Sequence, residues 1–297
     1  MSLCVVGHAI CYANASLSVL LSFTDFLISL QNGHGISAQL WTLRCLASLT
    51  KNRPVFAPDV LNLFDWNAVL QRSSNPSSNT VSSGHAPGTI SSAWRLGQQQ
   101  DADEFIGRLL ELINVPFPNP ESSPSRHMRV DLDISDSCTD SRCQDLQTRT
   151  ERTYRLNVGF RNDEDDAPLV QMMLREVADT EIERNCACGC QTSKRRYSYR
   201  KLPVYLPIVL LRFKYDEEQK RNVKVNTRVD VPEELVLNEN GNSSLPVQYK
   251  LCAVIVHSGG ASGGHYYSYL IEPDWAPTVS TTACKCHRMF RHLIVIA

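Results

Sequence analysis

The sequence predicts an α+β protein, with helices in its first third, strands in its last, and a cysteine-rich segment between. Three observations carry that reading. Apolar residues recur at helical spacing from Leu17 to Leu30 and again from Leu40 to Leu49. Alternating and continuous apolar runs dominate from Tyr197 onward. Five cysteines gather in two clusters between residues 138 and 190. At 297 residues, 42% apolar and 21% charged, the chain has a globular composition and can bury a large core. Its 30 basic and 31 acidic side chains offer no surplus for a nucleic acid or an anionic membrane, so neither is expected as a partner. Eleven cysteines, an odd number, suit metal ligands and a nucleophile better than a disulfide framework, and point to the reducing cytoplasm and/or nucleus.

The first helix opens on Cys11, with Ala13, Ala15 and Ser16 in its first turn and Leu17, Leu20, Leu21, Leu27 and Leu30 along its apolar stripe. A thiol at a helix start faces unpaired backbone N–H groups and the positive end of the dipole, both of which favour thiolate. The run lacks the basic flank of a signal peptide, and Asp25 interrupts it, so it reads as a core helix. No stretch reaches the ~18 uninterrupted apolar residues of a membrane span. A second helix follows over Ser37–Thr50, stopped by Pro54 and Pro58, and a third around Asp59–Gln71. Residues 73–92, rich in Ser, Asn and Gly, read as a surface loop.

Gln99-Gln100-Asp101 then leads into a helix with Phe105, Ile106, Leu109 and Leu110 on its apolar face. Asp101 is its expected cap, and Glu104 suits the first turn. Strand-like alternation follows at Arg129–Asp133 and Tyr154–Phe160. An acidic loop at Asp163–Asp166 precedes a helix-like run from Leu169. The last third carries strand signals at Val204–Leu211, Val223–Val231 and Tyr249–Val256.

Two constellations carry chemistry. Cys138-x4-Cys143 and Cys186-x-Cys188-x-Cys190 can together supply four thiolates to one tetrahedral zinc, two of the three later thiols sufficing. Such a closed all-thiolate site leaves no position for water, so it is structural rather than catalytic. The second constellation is Val256-His257-Ser258-Gly259-Gly260 followed by Gly263-Gly264-His265-Tyr266. There a glycine-rich turn delivers His265 onto an aromatic strand. A cysteine on an early helix and a histidine on a late strand are the two halves of a papain-like dyad. His257, which precedes the glycines, reads as a structural or cleft-lining residue.

In this order the motifs resemble the ubiquitin-specific proteases, cysteine deubiquitinases of the papain-like superfamily. Cys11-Tyr12-x-Asn14 resembles the Cys box and Gln99-Gln100-Asp101-Ala102-x-Glu104-Phe105 the glutamine-rich box. Leu202-Pro203 to Leu211-Arg212-Phe213 resembles the strand after the second cysteine knuckle. Tyr249–Val256 with His257-x-Gly259 and Gly264-His265-Tyr266 resembles the His box.

The resemblance implies a thumb–palm–fingers domain over residues 1–275. A helical thumb covers about 1–125, zinc-binding fingers about 126–200 and a palm sheet about 200–275, with a divergent tail at 276–297. It implies thiol-dependent hydrolysis at the ubiquitin C-terminus, with ubiquitin and ubiquitinated proteins as partners. Cys11 would be the nucleophile and His265 the general base. Gln99, Asp101, Glu104, His257 and Tyr266 would contact substrate. Cys138, Cys143, Cys186 and Cys188 would hold a structural zinc, and Cys190 would be dispensable because Cys188-Gly189 better matches the family's knuckle.

Two departures stand out. The family's oxyanion Asn, five positions before the nucleophile, is replaced by Val6, with His8 the nearest polar substitute. The family's His-orienting Asp or Asn follows a tryptophan, yet residues 276–297 after Trp275 contain neither, and Asp274 lies just upstream.

Overall fold

A computed structural model describes residues 11–31, 33–49, 100–160, 170, 174, 179–240, 246–271 and 291–297. Outside them lie Val6, His8, the expected helix at 59–71, the loop at 73–92, Gln99, the acidic loop, Asp274, Trp275 and residues 276–290. The chain divides into two compact units, Met1–Pro124 and Ser125–Ala297. The second unit holds both the expected fingers and the expected palm.

The first unit is helical. Its described residues form α1 (Cys11–Leu20), α2 (Thr24–Leu30), α3 (Ile36–Leu49) and α4 (Ala102–Asn114). The single apolar run that begins at Leu17 breaks at Leu21–Phe23, and the two helices on either side are bent by 95°. Each half can then bury its own face: Leu17, Leu20, Leu21, Phe26 and Leu30 are all within 1% of complete burial. No single helix among the described residues is long and apolar enough to cross a membrane. Two contacts lock α1 to α4. The Tyr12 and Phe105 rings meet edge to face at 5.6 Å, and the Ser16 hydroxyl donates to Tyr12 O (2.8 Å) and Ala102 O (3.4 Å).

The described residues of the second unit form three sheets. A 3-10 turn at Pro124–Met128 leads into an antiparallel four-stranded sheet of order β2-β1-β5-β4, made of β1 (Val130–Cys138), β2 (Leu146–Thr153), β4 (Asp179–Glu183) and β5 (Thr192–Lys201). On β1 three acids, Asp131, Asp133 and Asp136, take guanidinium partners from neighbouring strands. Asp136, 3% exposed, accepts from Arg195 at 2.7 and 2.8 Å and from Arg149 at 3.1 Å.

The larger sheet runs β11-β10-β12-β6-β3, with β9 (Glu234–Leu237) also on β10. Its members are β3 (Leu156–Val158), β6 (Tyr205–Leu210), β10 (Val247–Gly260), β11 (Gly263–Leu270) and β12 (Arg291–Ile296). All six residues of β6 are buried, which explains why they read as one continuous apolar run. A two-residue turn, Ala261-Ser262, joins β10 and β11, so the glycines expected in a loop are themselves paired strand residues: Gly259 opposes Gly264 and Gly260 opposes Gly263. The predicted strand over Val223–Val231 is shorter, a hairpin of β7 (Phe213–Asp216) and β8 (Arg221–Lys224).

The expected divergent tail is also different in its last residues. Arg291–Ile296 forms β12, an interior strand parallel to both β10 and β6. The physical reason is the continuous run Leu293-Ile294-Val295-Ile296, none more than 5% exposed, which is what a parallel strand covered on both faces requires. Arg291 fixes one end by donating to Leu202 O (2.6 Å) and Glu239 Oε1 (3.2 Å), and Glu239 also accepts from Leu202 N (2.7 Å). The other end is fixed by Ala297, whose carbonyl accepts from His257 N at 2.8 Å.

Candidate functional site

Cys11 is the first residue of α1 and is half-buried. Its neighbour Tyr12 is fully buried, and burial first, then the Cys11 charge, pushes the phenol up to about 12, so it stays neutral. The helix start is thus held by a ring that cannot leave the α1–α4 contact without exposing itself. Asp101 caps α4: its Oδ1 accepts from Asp103 N (2.8 Å) and Glu104 N (3.2 Å), the bonding pattern that the sequence predicts. Glu104 is exposed at that first turn. Asp101, Glu104 and the Cys11-bearing helix therefore belong to one unit.

His265 and its surroundings lie in the other. His265 is an exposed residue of β11, directly opposite Ser258 on β10, while His257 opposes Tyr266. His257 is 7% exposed, packed edge-on against Phe213 (5.4 Å between centroids) and tilted against Tyr266 (4.7 Å). Its ring is enclosed. Tyr266 is buried beside it.

A residue that the sequence did not point to completes this cluster. Lys224, at the end of β8, places its Nζ 3.1 Å from His257 Nδ1, 2.6 Å from His257 O and 3.3 Å from Gly259 O. Burial and the nearby Arg212 charge lower its pKa. In sequence, Lys224 is one polar position in an alternating run, and no spacing rule marks it.

The two cysteine clusters meet. Cys138 ends β1 and Cys143 lies in the β1–β2 connection, while Cys186 and Cys188 lie between β4 and β5. Pairing of Cys138 with Ser193 brings the connections to one end of the sheet. The four sulfurs lie within 4.8 Å of one another, with Cys138–Cys188 and Cys143–Cys186 each at 3.5 Å. A zinc with Zn–S bonds of ~2.3 Å implies a sulfur–sulfur edge of about 3.8 Å, so the cluster fits one tetrahedral ion. The second loop is a tight knuckle: Cys186 N donates to Cys190 O (2.8 Å) and Gly189 N to Cys186 O (3.0 Å), with Gly189 at φ +93°, where a side chain would be strained. Backbone N–H of Cys190, then the Cys186 and Cys138 thiols, hold the Cys188 thiol down to about 6. Cys190 bonds Cys188 from outside the group of four. Asp145 accepts from Arg184 and from the Cys186 thiol (3.3 Å), bracing the cluster.

A family model described as ubiquitin carboxyl-terminal hydrolase matches residues 6–286, a span that includes Cys11, the four clustered cysteines and His265. Ubiquitin carboxyl-terminal hydrolase 9 of Saccharomyces cerevisiae is 29% identical over 189 residues, which cover 57% of this chain and 25% of that protein. Ubiquitin carboxyl-terminal hydrolase 9X of Mus musculus is 30% identical over 214 residues, covering 60% of this chain and 8% of that one. The chain thus spans a quarter or less of these relatives' length. Among solved structures, the SAGA Ubp8/Sgf11/Sus1/Sgf73 DUB module bound to ubiquitin aldehyde matches over 92% of this chain and 62% of its own (TM-score 0.66, 17% identity). A second structure of that module, bound to monoubiquitin, matches over 91% and 61% (TM-score 0.67, 18% identity). These likenesses share the fold.

Proposed function

The chain belongs to the ubiquitin carboxyl-terminal hydrolase family, and on that premise we propose that it is a thiol-dependent deubiquitinase, cleaving isopeptide or peptide bonds at the ubiquitin C-terminus. The observation that supports this best is that the family match includes both Cys11, at the start of α1, and His265, on β11. In this reading His265 takes the Cys11 proton as the sulfur attacks the scissile carbonyl. The tetrahedral intermediate collapses as His265 returns that proton to the departing amine, leaving ubiquitin bound to Cys11 as a thioester. His265 then takes a proton from water, which attacks the thioester and releases the ubiquitin carboxylate and the thiol.

Gln99, Asp101 and Glu104 contact the substrate tail in this proposal, with one Asp101 oxygen already engaged as the cap. Cys138, Cys143, Cys186 and Cys188 hold a structural zinc, whose contribution is to fix the two loops. Ubiquitin and ubiquitinated proteins are the proposed partners, in the cytoplasm and/or nucleus, where the free thiols of the described residues stay reduced.

A second reading, a ubiquitin-binding domain of weak turnover, is favoured by Val6 in the oxyanion position and by the lack of Asp or Asn in residues 276–297. Loss of one oxyanion donor costs ~100–1000-fold in rate. A ubiquitin probe carrying a C-terminal electrophile tests the assignment. Labelling should vanish in Cys11→Ala and persist in Cys45→Ala; equal labelling of the two variants would remove Cys11 as the nucleophile. Diubiquitin cleavage at or above ~1 s⁻¹ by the native chain would dismiss the weak-turnover reading.

A further inference from the structure

We propose that Lys224 is a positioning residue for His265, acting through a clamp on the last residues of β10. The inference rests on the reading of His265 as general base.

An ammonium group carries three hydrogens and no lone pair. The three acceptors within reach of Lys224 Nζ are His257 Nδ1 (3.1 Å), His257 O (2.6 Å) and Gly259 O (3.3 Å). All lie within three residues, and the residue between them, Ser258, is the one directly opposite His265. The N–H and C=O of one strand residue point to the same edge. His257 N donates to Ala297 O, so its carbonyl faces the β12 side, past the bond from Ala297. There Lys224 supplies the donors that a neighbouring strand would otherwise give. It ties down both backbone carbonyls just before β10 turns into β11.

The imidazole contact has its own consequence. Because Lys224 donates, Nδ1 must accept, and the ring proton of His257 stands on Nε2. That ring lies directly beneath Gly264, the residue before His265. A Cβ built at Gly264 would sit 2.4 Å from His257 Nε2 and 2.7 Å from Cε1. Phe213 and Tyr266 wall the ring in at 5.4 and 4.7 Å. Lys224 thus sets the place of a ring against which the His265 backbone rests. The ammonium is kept in this half-buried position despite desolvation and the Arg212 charge. One that merely decorated the hairpin would move to water.

The test uses the full chain with Lys224→Met, which keeps the stem and deletes the donors, and Lys224→Arg, whose planar fork cannot converge on three points in the same way. Histidine ring ¹⁵N signals, amide hydrogen exchange and turnover of ubiquitin bearing a fluorogenic C-terminal amide are compared. In Lys224→Met the His257 Nδ1 signal should move, and exchange at Gly264 and His265 should quicken about ten-fold while β6 and β12 stay protected. kcat should fall roughly 10–100-fold with KM within about two-fold, the cost of a catalytic group displaced by a fraction of an ångström to about 1 Å. Lys224→Arg should fall between, and it decides the question if Lys224→Met does not fold. Where amide turnover is too slow to follow, the rate of electrophilic-probe labelling takes its place. Unchanged turnover alongside a shifted His257 signal would overturn the proposal, as would faster exchange spread evenly over the sheet. Full activity in His265→Ala would instead refute the general-base reading, while the ring signals and local exchange still decide whether the clamp exists.

Discussion

Single side chains here carry two kinds of duty that substitution can separate. Asp101 caps α4 with one oxygen and is also a proposed contact for substrate. Asp101→Ala should lower stability by about 1 kcal/mol, the ordinary value of an N-cap, and Asp101→Asn should restore most of that in urea unfolding. If Asn restores stability but not activity, the charge serves substrate. Gly264 is the opposite case, a position defined by what it lacks. An added methyl would stand 2.2 Å from Ser258 O and 2.4 Å from the enclosed His257 ring, so Gly264→Ala must part the strands that align His265. Activity should drop at least ~10-fold, with faster amide exchange confined to β10 and β11. A variant as active as the parent would show that this strand pair tolerates separation.

Elements differ in how clearly the sequence announced them. α3 and α4 were legible because their apolar residues keep a 3.6-residue period, with Asp101 as a visible cap, whereas the bend between α1 and α2 was not, since the apolar run continues across it. β6 and the β10–β11 pair were legible from apolar runs bounded by Pro203 and by glycines. β12 was not. Its apolar run is short, follows no turn signal, and lies where the resemblance predicts other residues. Only pairing with β6 and β10 identifies it as interior. The Lys224 clamp was illegible for a related reason: it is a contact between strands whose register no local pattern reveals. The cysteine clusters were legible as one group of thiols because their spacing survives translation into geometry.

The ion pairs of β1 add a pH dependence at this scale. Hydrogen bonds from Arg195 hold the Asp136 carboxyl below its ordinary range, against desolvation and with help from Arg149. A carboxyl depressed by folding contributes stability above its unfolded value of ~3.9 and loses it as pH falls through the lower folded value. Asp136→Asn should therefore cost roughly 1–3 kcal/mol at neutral pH. That is less than a fully buried pair, since the Arg149 side chain is 40% exposed. The gap between variant and parent should close below about pH 4. A gap independent of pH would mean that shape, not charge, holds this strand.

At the scale of the whole molecule, the cysteine cluster and the sheets make separate demands. Metal analysis of the purified chain should give about one zinc per molecule, the stoichiometry of a single closed site. Chelation should loosen the four-stranded sheet, read as faster exchange in β1 and β5 and as newly reactive thiols at Cys138 and Cys143. The larger sheet, whose core lies among Leu206, Ile208, Tyr249 and Leu293, should keep its protection. Loss of both sheets together would show one cooperative unit instead.

The interior position of β12 also bears on how the chain reaches its fold. His292 pairs with Tyr205, 87 residues earlier by their numbering, and β12 lies between strands that precede it in the chain. Loop closure over that distance, with parallel pairing on both sides, makes for a slow search. Until β12 arrives, β6 and β10 each present a bare apolar edge that can template association with another chain. Refolding from urea should accordingly be slow, and its yield should fall as protein concentration rises. Added Leu293→Asp chain, which cannot bury its β12, should not rescue it. On the same ground, a chaperone that shields strand edges should raise the refolding yield, a dependence set by strand order rather than by final stability.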